Sequence, residues 1–316
     1  MKLVVIIPYL ETMSPGQIQM AQSIKKLANP DVKGAFCGPG ISSNEFFDAD
    51  YFMNMADPKQ GMDSVVMKGL FEYDADYVWF FGDDYFIPES LGRLYEYLLS
   101  CPEKQPLLLS TMSVKNTDDL THLQRKTLAI EPETINGNIA FLRYGDELGY
   151  ISRLIYVPSL IHPHREKLSS FTGTNWVSLA AILMLLFPQN SSAKITDMHN
   201  ITVFGMERDQ SQKHWYGYET FLYGIFEVIN RLISWQFSFS RSSVNSVSRQ
   251  IIWRALKARI VQRQEGIYHG YANDWDFDRL KPLLGRTDFW FIFSAYHFDF
   301  PLRIVASLKR WKRLFL

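Results

Sequence analysis

The stretch of sequence that decides the fold is Tyr77–Asp84, YVWFFGDD. Its five consecutive apolar residues are typical of a strand that is buried on both faces, as in a parallel sheet. Gly82 ends the apolar run, and two carboxylates, Asp83 and Asp84, follow directly. A helix is predicted next over Pro88–Leu99, because proline is favoured at a first helical position and leucines recur at helical spacing. The sequence therefore predicts a buried strand that ends in an acidic corner and leads into a helix.

Strand and helix signals alternate on both sides of this stretch. Strands are predicted at 2–7, 32–37, 50–55, 77–81, 107–111 and 150–157, and helices at 15–27, 62–73, 88–99 and 175–187. This alternation favours an α/β fold, a Rossmann-like and mostly parallel sheet flanked by helices. Ligands of such sheets bind beyond the carboxyl ends of the strands, where the acidic corner would lie. From His214 onward the pattern is mainly helical.

The net charge of the 316 residues is zero, but the charges are unevenly placed. Residues 1–100 carry 7 Lys/Arg and 14 Asp/Glu, whereas residues 228–316 carry 15 Lys/Arg and 6 Asp/Glu. We therefore expect one domain over residues 1–227 and a basic, mainly helical region over 228–316. Such asymmetry indicates a polyanionic partner, either a membrane surface or a nucleic acid.

The location of the protein is predicted from its cysteines and its first residues. Two cysteines without Cys/His metal spacing exclude a disulfide framework and favour a reducing, cytoplasmic compartment. The apolar run at the start ends at Pro8, so we interpret it as a first strand and not as a signal peptide. No run reaches the roughly 20 apolar residues that span a bilayer.

Asp83 and Asp84 form the candidate metal site. Adjacent carboxylates repel each other, and Mg²⁺ or Mn²⁺ removes that repulsion while leaving ligand positions for water and substrate phosphates. The alternative is a polar turn in which one aspartate caps the helix that begins at Pro88. The buried strand before the pair and the helix after it favour the metal site.

At this point the sequence resembles family 2 glycosyltransferases, and most closely the bacterial abequosyltransferase-like subgroup of O-antigen assembly. The resemblance is carried by DYVWFFGDDYFIPESLGRL (76–94), with weaker matches at VVIIPYLE (4–11), GMDSVVMKGL (61–70), GYISRLIYV (149–157) and FTGTNWVSLAAI (171–182). It implies a GT-A fold and metal-assisted, inverting transfer from a nucleotide-diphosphate sugar to a lipid-linked surface glycan. The third acidic position of the motif is Tyr85 here, and the usual acidic residue at the end of the second strand is missing.

The catalytic base expected from the resemblance is missing at its usual place in this sequence. An inverting transfer needs a base for the attacking hydroxyl, and the stretch that should supply it, Phe171–Trp176, has no carboxylate. We predict Asp146 and Glu147 as the candidates, ahead of His162, His164 and Glu166. The alternative is that Asp146 and Glu147 belong to a solvated loop.

Binding residues are predicted from their places in the chain. Pro8, Tyr9 and Glu11 follow the first strand and, with Asp83, are candidates for donor binding, although Tyr9 could equally be a packing residue. The candidates for acceptor binding are Asn175 and Trp176, the latter by stacking on a sugar unless it is a core residue. His199 and His214 are weak candidates for a third metal ligand.

Residues 302–316, LRIVASLKRWKRLFL, combine an apolar stripe at helical spacing with five basic residues. This pattern is typical of a helix that lies in a membrane interface, and a docked C-terminal helix is the alternative. We expect a peripheral location on the inner membrane face and no nucleic-acid partner, since the first half is acidic and carries no nucleic-acid motif. Rival functions are a catalytically inactive GT-A-like binding module and a nucleotidyltransferase. The nucleotidyltransferase is disfavoured because the loop after Pro8, residues 9–17, contains no Lys or Arg to bind a triphosphate.

Overall fold

The fold is given by a computed structural model, which describes residues 1–9, 12–37, 50–54, 61–101, 103–114, 117, 120, 122–123, 130–188, 193–206, 218–264, 275–281, 284 and 286–298. The strands are β1 (Leu3–Pro8), β2 (Val32–Cys37), β3 (Phe52–Asn54), β4 (Tyr77–Phe80), β5 (Tyr85–Phe86), β6 (Leu107–Val114), β7 (Glu133–Asn136), β8 (Leu154–Tyr156) and β9 (Lys194–Met206). The helices are α1 (Pro15–Leu27), α2 (Gly61–Phe71), α3 (Pro88–Ser100), α4 (Gly137–Tyr144), α5 (Pro158–Ile161), α6 (Arg165–Ser169), α7 (Val177–Leu186), α8 (Tyr218–Ser234), α9 (Arg241–Gln264), α10 (Phe277–Leu280) and α11 (Arg286–Phe298).

The strands of the described residues form one nine-stranded sheet in the order β3-β2-β1-β4-β8-β6-β9-β5, with β7 paired to β9. Strands β3, β2, β1 and β4 are mutually parallel, and β6 and β9 run in the same direction. Strands β8, β5 and β7 are antiparallel to their neighbours. The predicted fold class, a mostly parallel sheet with helices on it and a helical C-terminal region, is confirmed.

The parallel half of the sheet forms as its sequence predicts. Its central strands β1 and β4 are fully or almost fully buried along their apolar runs. Helix α1 begins with a capping box, in which the Ser14 hydroxyl accepts from the Gln17 N–H and the Gln17 side chain accepts from the Ser14 N–H. The Gln17 side chain also fixes the start of α1 to the end of β1, because its amide N–H donates to the Pro8 carbonyl oxygen.

The strand predicted over Tyr150–Val157 is mostly wrong. Only Leu154–Tyr156 is a strand, whereas Gly145–Gly149 and Ile151–Arg153 form short 3₁₀ turns. A turn is favoured here because it places polar groups of this segment against the end of β4. Strand β9 was not predicted, since its sequence alternates polar and apolar residues only irregularly.

Strand β9 contains a bulge opposite β6. Leu109 pairs with Met198 and the next residue, Ser110, pairs with Thr202, so residues 199–201 have no counterpart in β6. Such a bulge disrupts the ladder locally and bends the strand. The bulge explains why a strand of 13 residues shows no regular period in its sequence.

The chain divides into two compact units. The N-terminal unit comprises residues 1–213 and 231–238, and the C-terminal unit comprises residues 214–230 and 239–316. The first holds the sheet, and the described part of the second consists of helices. A domain boundary at residue 228 stays a prediction. No helix in the described ranges is long and apolar enough to cross a membrane.

Gly16, in the first turn of α1, lies against the backbone of Asp84. A Cβ atom at Gly16 would overlap the Asp84 carbonyl oxygen and lie 2.7 Å from its carbon. Both neighbours are main-chain atoms, which cannot move aside as a flexible side chain can. The start of α1 and the acidic corner therefore meet at a position that admits only glycine.

We expect Gly16→Ala to lower the free energy of unfolding by about 1–3 kcal/mol, because the added methyl overpacks this contact. The matched control is Gly92→Ala in α3, where the nearest atom to the new Cβ would be 3.8 Å away. The free energy of unfolding of that variant should be unchanged or higher by up to about 1 kcal/mol, because alanine has a higher helix propensity than glycine. Thermal unfolding followed by circular dichroism measures both, and equal melting temperatures would contradict the contact.

Candidate functional site

The acidic corner lies at the carboxyl edge of the parallel strands. Strand β4 ends at Phe80, and the chain passes through Asp83 and Asp84 into β5. Because β5 pairs with β9, with Tyr85 opposite Phe204, the corner is brought beside Gly205. The elements that place the corner are thus β4 on one side and the far end of β9 on the other.

Asp84 is buried, with 5% of its surface exposed. Its Oδ1 accepts a hydrogen bond from the Tyr150 hydroxyl, and the Ser152 hydroxyl bonds the same carboxylate. Burial raises the pKa of Asp84, and the two hydrogen bonds act in the opposite direction. The carboxylate is therefore kept in place by two neutral donors and has no salt bridge among the described residues.

Ser152 connects the corner to the sheet. Its hydroxyl accepts from the Gly82 N–H at 2.9 Å, and its carbonyl accepts from the Trp79 indole at 2.7 Å. It is fully buried. The turn that carries Tyr150 and Ser152 is thereby fixed to the end of β4 at three points.

Asp83 is exposed, unlike its neighbour. Next to the corner, Gly205 leaves space: a Cβ there would lie 3.6 Å from both Asp84 Oδ1 and the Tyr150 hydroxyl oxygen. The exposed carboxylate of Asp83 and the buried one of Asp84 supply oxygen donors of the kind that suit Mg²⁺ or Mn²⁺, and Gly205 leaves space beside them. In the described ranges no three His, Cys, Asp or Glu side chains converge as a metal site, so other ligands would come from water and a diphosphate.

A second buried carboxylate, Asp63 of α2, organises the segment before α7. It accepts from the N–H groups of Gly173 (2.8 Å), Asn175 (2.7 Å) and Val177 (3.2 Å). Asn175 has φ +63°, a left-handed conformation that asparagine tolerates better than most residues. Burial raises the pKa of Asp63, although the backbone bonds lower it. Asp63 thus replaces the missing N-cap of α7 and fixes residues 173–177.

Trp176 is buried, with 6% exposure, and its ring packs on Gly149, where a Cβ would lie 2.5 Å from the ring. This contact places residues 173–176 directly beside the turn that carries Tyr150. In this position the indole is a packing residue, whereas Asn175 is exposed. Their roles in acceptor binding stay predictions.

Asp146 and Glu147 lie in the 3₁₀ turn that precedes Tyr150. Asp146 is half-buried, and Glu147 is exposed and accepts from the Arg153 guanidinium at 2.6 Å. The turn thus leads into Tyr150, which contacts the corner, and the role of either residue as a base stays a prediction.

Arg153 fixes this segment to the sheet. It is 4% exposed, and its Nε donates to the Leu109 carbonyl at 2.9 Å, at the bulge between β6 and β9. Its guanidinium also lies 4.2 Å from the centre of the Tyr144 ring. Tyr144 in turn donates to the buried carboxylate of Asp197. A continuous polar network therefore runs from the bulge to the turn of Tyr150.

On the donor side, the structure places Pro8 and Tyr9 at the end of β1. Tyr9 is 8% exposed and its ring packs edge-on against Phe36 at 6.5 Å, so it is a packing residue here. Stacking of Tyr9 on a base stays a prediction. Glu11, His214 and the basic segment 302–316 lie outside the described residues.

His199 as a third metal ligand stays a prediction. It lies in the bulge of β9, 3.5 Å from Asp197 and 3.8 Å from Glu133. Five residues, 200–204, separate it in the chain from Gly205 at the corner. The histidine is part of the polar cluster around Asp197.

Sequence analysis missed Tyr150, Ser152, Asp63 and Gly205 as site residues. Three of them lie in segments that carried the resemblance, but Tyr150 and Ser152 were interpreted as strand residues. Asp63 had a signal of its own, since it is a lone carboxylate in the first turn of a largely apolar helix. Gly205 had none, because strand β9 itself was not recognised.

No family model and no curated protein matches this chain. Among solved structures, it is similar to S. aureus TarS 1–349 in complex with UDP, with TM-score 0.52 and 12% identity over 81% of this chain and 72% of that chain. Another S. aureus TarS structure gives TM-score 0.52 and 14% identity over 80% of this chain and 42% of that chain. M. tuberculosis glucosyl-3-phosphoglycerate synthase with Mg²⁺ and UDP gives TM-score 0.42 and 13% identity over 76% of this chain and 81% of that chain. The likeness to TarS confirms the predicted GT-A fold, whereas the abequosyltransferase-like subgroup stays a prediction.

The raised pKa of Asp84 makes stability depend on pH. The folded protein binds the Asp84 proton more tightly than the unfolded chain, so stability falls as pH rises from the ordinary aspartate pKa, about 4, through the raised folded value. With a metal chelator present, the free energy of unfolding of Asp84→Asn should therefore increase relative to that of wild type as pH rises through this window. The increase should be at most about 1.4 kcal/mol per pH unit. Denaturant unfolding at a series of pH values measures the difference. A difference that does not change with pH would contradict a raised pKa.

Replacing Asp63 tests its hold on the segment before α7. Asp63→Ala leaves three backbone N–H groups without their acceptor and should cost about 2–4 kcal/mol of unfolding free energy. It should also speed hydrogen exchange at Gly173 and Asn175. The control is Asp74→Ala, a carboxylate that is 94% exposed, which should change stability by less than about 0.5 kcal/mol. Unchanged exchange at both amides would refute the role of Asp63.

Proposed function

We propose that the protein is a glycosyltransferase that moves a sugar from a nucleotide-diphosphate donor to a hydroxyl group of a glycan. The observation that carries this proposal is the acidic corner, Asp83 and Asp84, at the carboxyl edge of a GT-A sheet. Ligands of open α/β sheets bind at this edge. The UDP complex of S. aureus TarS, a chain of similar fold, supports a nucleotide-sugar donor.

Asp83 and Asp84 are proposed to hold Mg²⁺ or Mn²⁺. The exposed Asp83 meets ligands directly, while Tyr150 and Ser152 keep the buried Asp84 carboxylate in a fixed orientation. When bound, the cation supplies charge neutralisation for the diphosphate leaving group. The protein's own contribution is a rigid corner, so that little reorganisation is needed when the donor arrives.

Asp146 is the better of the two proposed bases. Glu147 is in an ion pair with Arg153, whose side chain is only 5% exposed, so that the guanidinium already occupies one of its carboxylate oxygens. Asp146 is half-buried in the same turn, three residues before Gly149, on which Trp176 packs. We propose that residues 173–176 contact the acceptor. An inverting reaction, in which Asp146 takes the proton of the attacking hydroxyl, fits this arrangement.

The acceptor is proposed to be a lipid-linked surface glycan, and the donor sugar a hexose or deoxyhexose. This finer proposal depends on the sequence resemblance and on the basic segment 302–316, whose composition suits an anionic membrane surface. It places the protein in the cytoplasm, peripherally on the inner membrane face.

The proposed function is tested by binding of nucleotide sugars, measured by thermal shift and calorimetry with and without Mn²⁺. At least one donor should bind only with metal, and Asp83→Asn and Asp84→Asn should each weaken it at least tenfold, about 1.4 kcal/mol. Each substitution removes a carboxylate that the cation needs.

The matched control is Asp74→Asn, which neutralises an exposed carboxylate before the amino end of β4. It should bind the donor as wild type does. If donor binding is independent of metal and equal in all variants, the proposed metal site is wrong. If no donor binds at all, the protein is better described as a non-catalytic module of GT-A fold.

A further inference from the structure

The described part of the C-terminal unit contains a cavity of about 480 Å³, within the range of small-molecule sites. It lies where the segment before α10 meets the end of α11. Its lining combines aromatic rings with two carboxylates: Trp275, Asp276, Phe277, Asp278, Tyr296 and His297.

The floor of the cavity is a rigid aromatic layer. Trp275 and Tyr296 are 6% and 9% exposed, and their ring centres are 5.4 Å apart. The backbone N–H of Trp275 donates to the Tyr296 hydroxyl oxygen at 3.0 Å, so the Tyr296 ring is fixed to the main chain at Trp275. Phe277 packs edge-on against Tyr296 at 4.9 Å. Rings held in this way lose little side-chain freedom on binding, and Phe277 is the most exposed of the three.

The rim of the cavity is polar and open to solvent. Asp276, Asp278 and His297 are exposed. The rim backbone is fixed, because the Asp276 N–H donates to the Tyr223 hydroxyl at 2.6 Å and the Asp278 N–H donates to Asp276 Oδ1 at 3.1 Å. Hydrogen-bond acceptors are therefore held at fixed places around an aromatic floor.

The charged side chains around the cavity limit the chemical class of ligand that it can bind. Two carboxylates at the rim disfavour a phosphate or a nucleotide. A cation is disfavoured at the floor, because the Arg259 guanidinium already lies 3.9 Å from the centre of the Tyr296 ring. A neutral molecule with an apolar face and several hydroxyl donors suits both surfaces, since C–H groups pack on rings and hydroxyls donate to carboxylates.

We propose that this cavity is a saccharide-binding site, whose described lining residues all belong to the C-terminal unit. It would hold a neutral sugar residue of a glycan, separately from the sugar that reacts. Binding energy from remote parts of a substrate can be used at the reacting centre, so such a site would favour longer acceptors. The inference rests on the proposed function only in its choice of a glycan as the ligand.

The test uses the full chain and saturation-transfer NMR with methyl glycosides of glucose, galactose, mannose, N-acetylglucosamine and rhamnose, and with choline as a cationic probe. At least one glycoside should bind with a Kd on the order of 1 mM. Asp278→Ala and His297→Ala, which alter exposed rim residues, should each weaken it by about tenfold. Trp290→Ala is the control, because it removes an aromatic ring of α11 that is 56% exposed and does not line the cavity.

Two results would overturn the proposal: no glycoside binds wild type, or binding is equal in the rim variants and the control. Binding of choline without any glycoside would identify a cation site instead and would also overturn it. The Asp84→Asn variant separates this inference from the proposed function. It should lose metal-dependent donor binding and keep glycoside binding, and a protein that binds glycosides but no donor would refute the transferase alone.

Discussion

The site depends on one constraint, which is that the carboxylate of Asp84 is held almost out of water at the end of β4. Removing a charged group from water costs several kcal/mol unless hydrogen bonds replace its hydration. Here the replacements are hydroxyl groups of Tyr150 and Ser152, on a single turn. That turn must therefore keep its place against β4 and β9, and much of the surrounding structure serves this purpose.

The same principle operates at Asp63, where three main-chain N–H groups replace the water. The two buried carboxylates differ in what they stabilise. Asp84 has hydroxyl donors that a stronger ligand can displace, so it can change partners. Asp63 is enclosed by backbone groups of residues 173–177 and is suited to holding a segment in one conformation. The proposed cation site therefore includes the first carboxylate and not the second.

The parallel half of the fold could be predicted from the sequence because its central strands are buried on both faces and helices α1 and α3 have explicit start signals, at Ser14–Pro15 and at Pro88. The acidic corner was found for the same reason, since it follows directly on a five-residue apolar run. The other half was predicted poorly. Tyr150 and Ser152 lie in a segment whose apolar residues resemble a strand, and only the need to satisfy Asp84, some 66 residues away in the chain, makes it a turn. Trp176 and Tyr9 were ambiguous because an aromatic residue has the same sequence signal whether it packs or binds.

The bulge in β9 has a consequence for how the chain tolerates changes in length. Residues 199–201 have no counterpart in β6, yet beyond them the pairing resumes and carries Gly205 to its place beside Asp84. A residue gained or lost at this point alters the size of the bulge and leaves the register on either side intact. The same change between Thr202 and Gly205 would move the glycine and put a side chain against the acidic corner. Length variation is therefore easier to accommodate at one point of the strand than a few residues later.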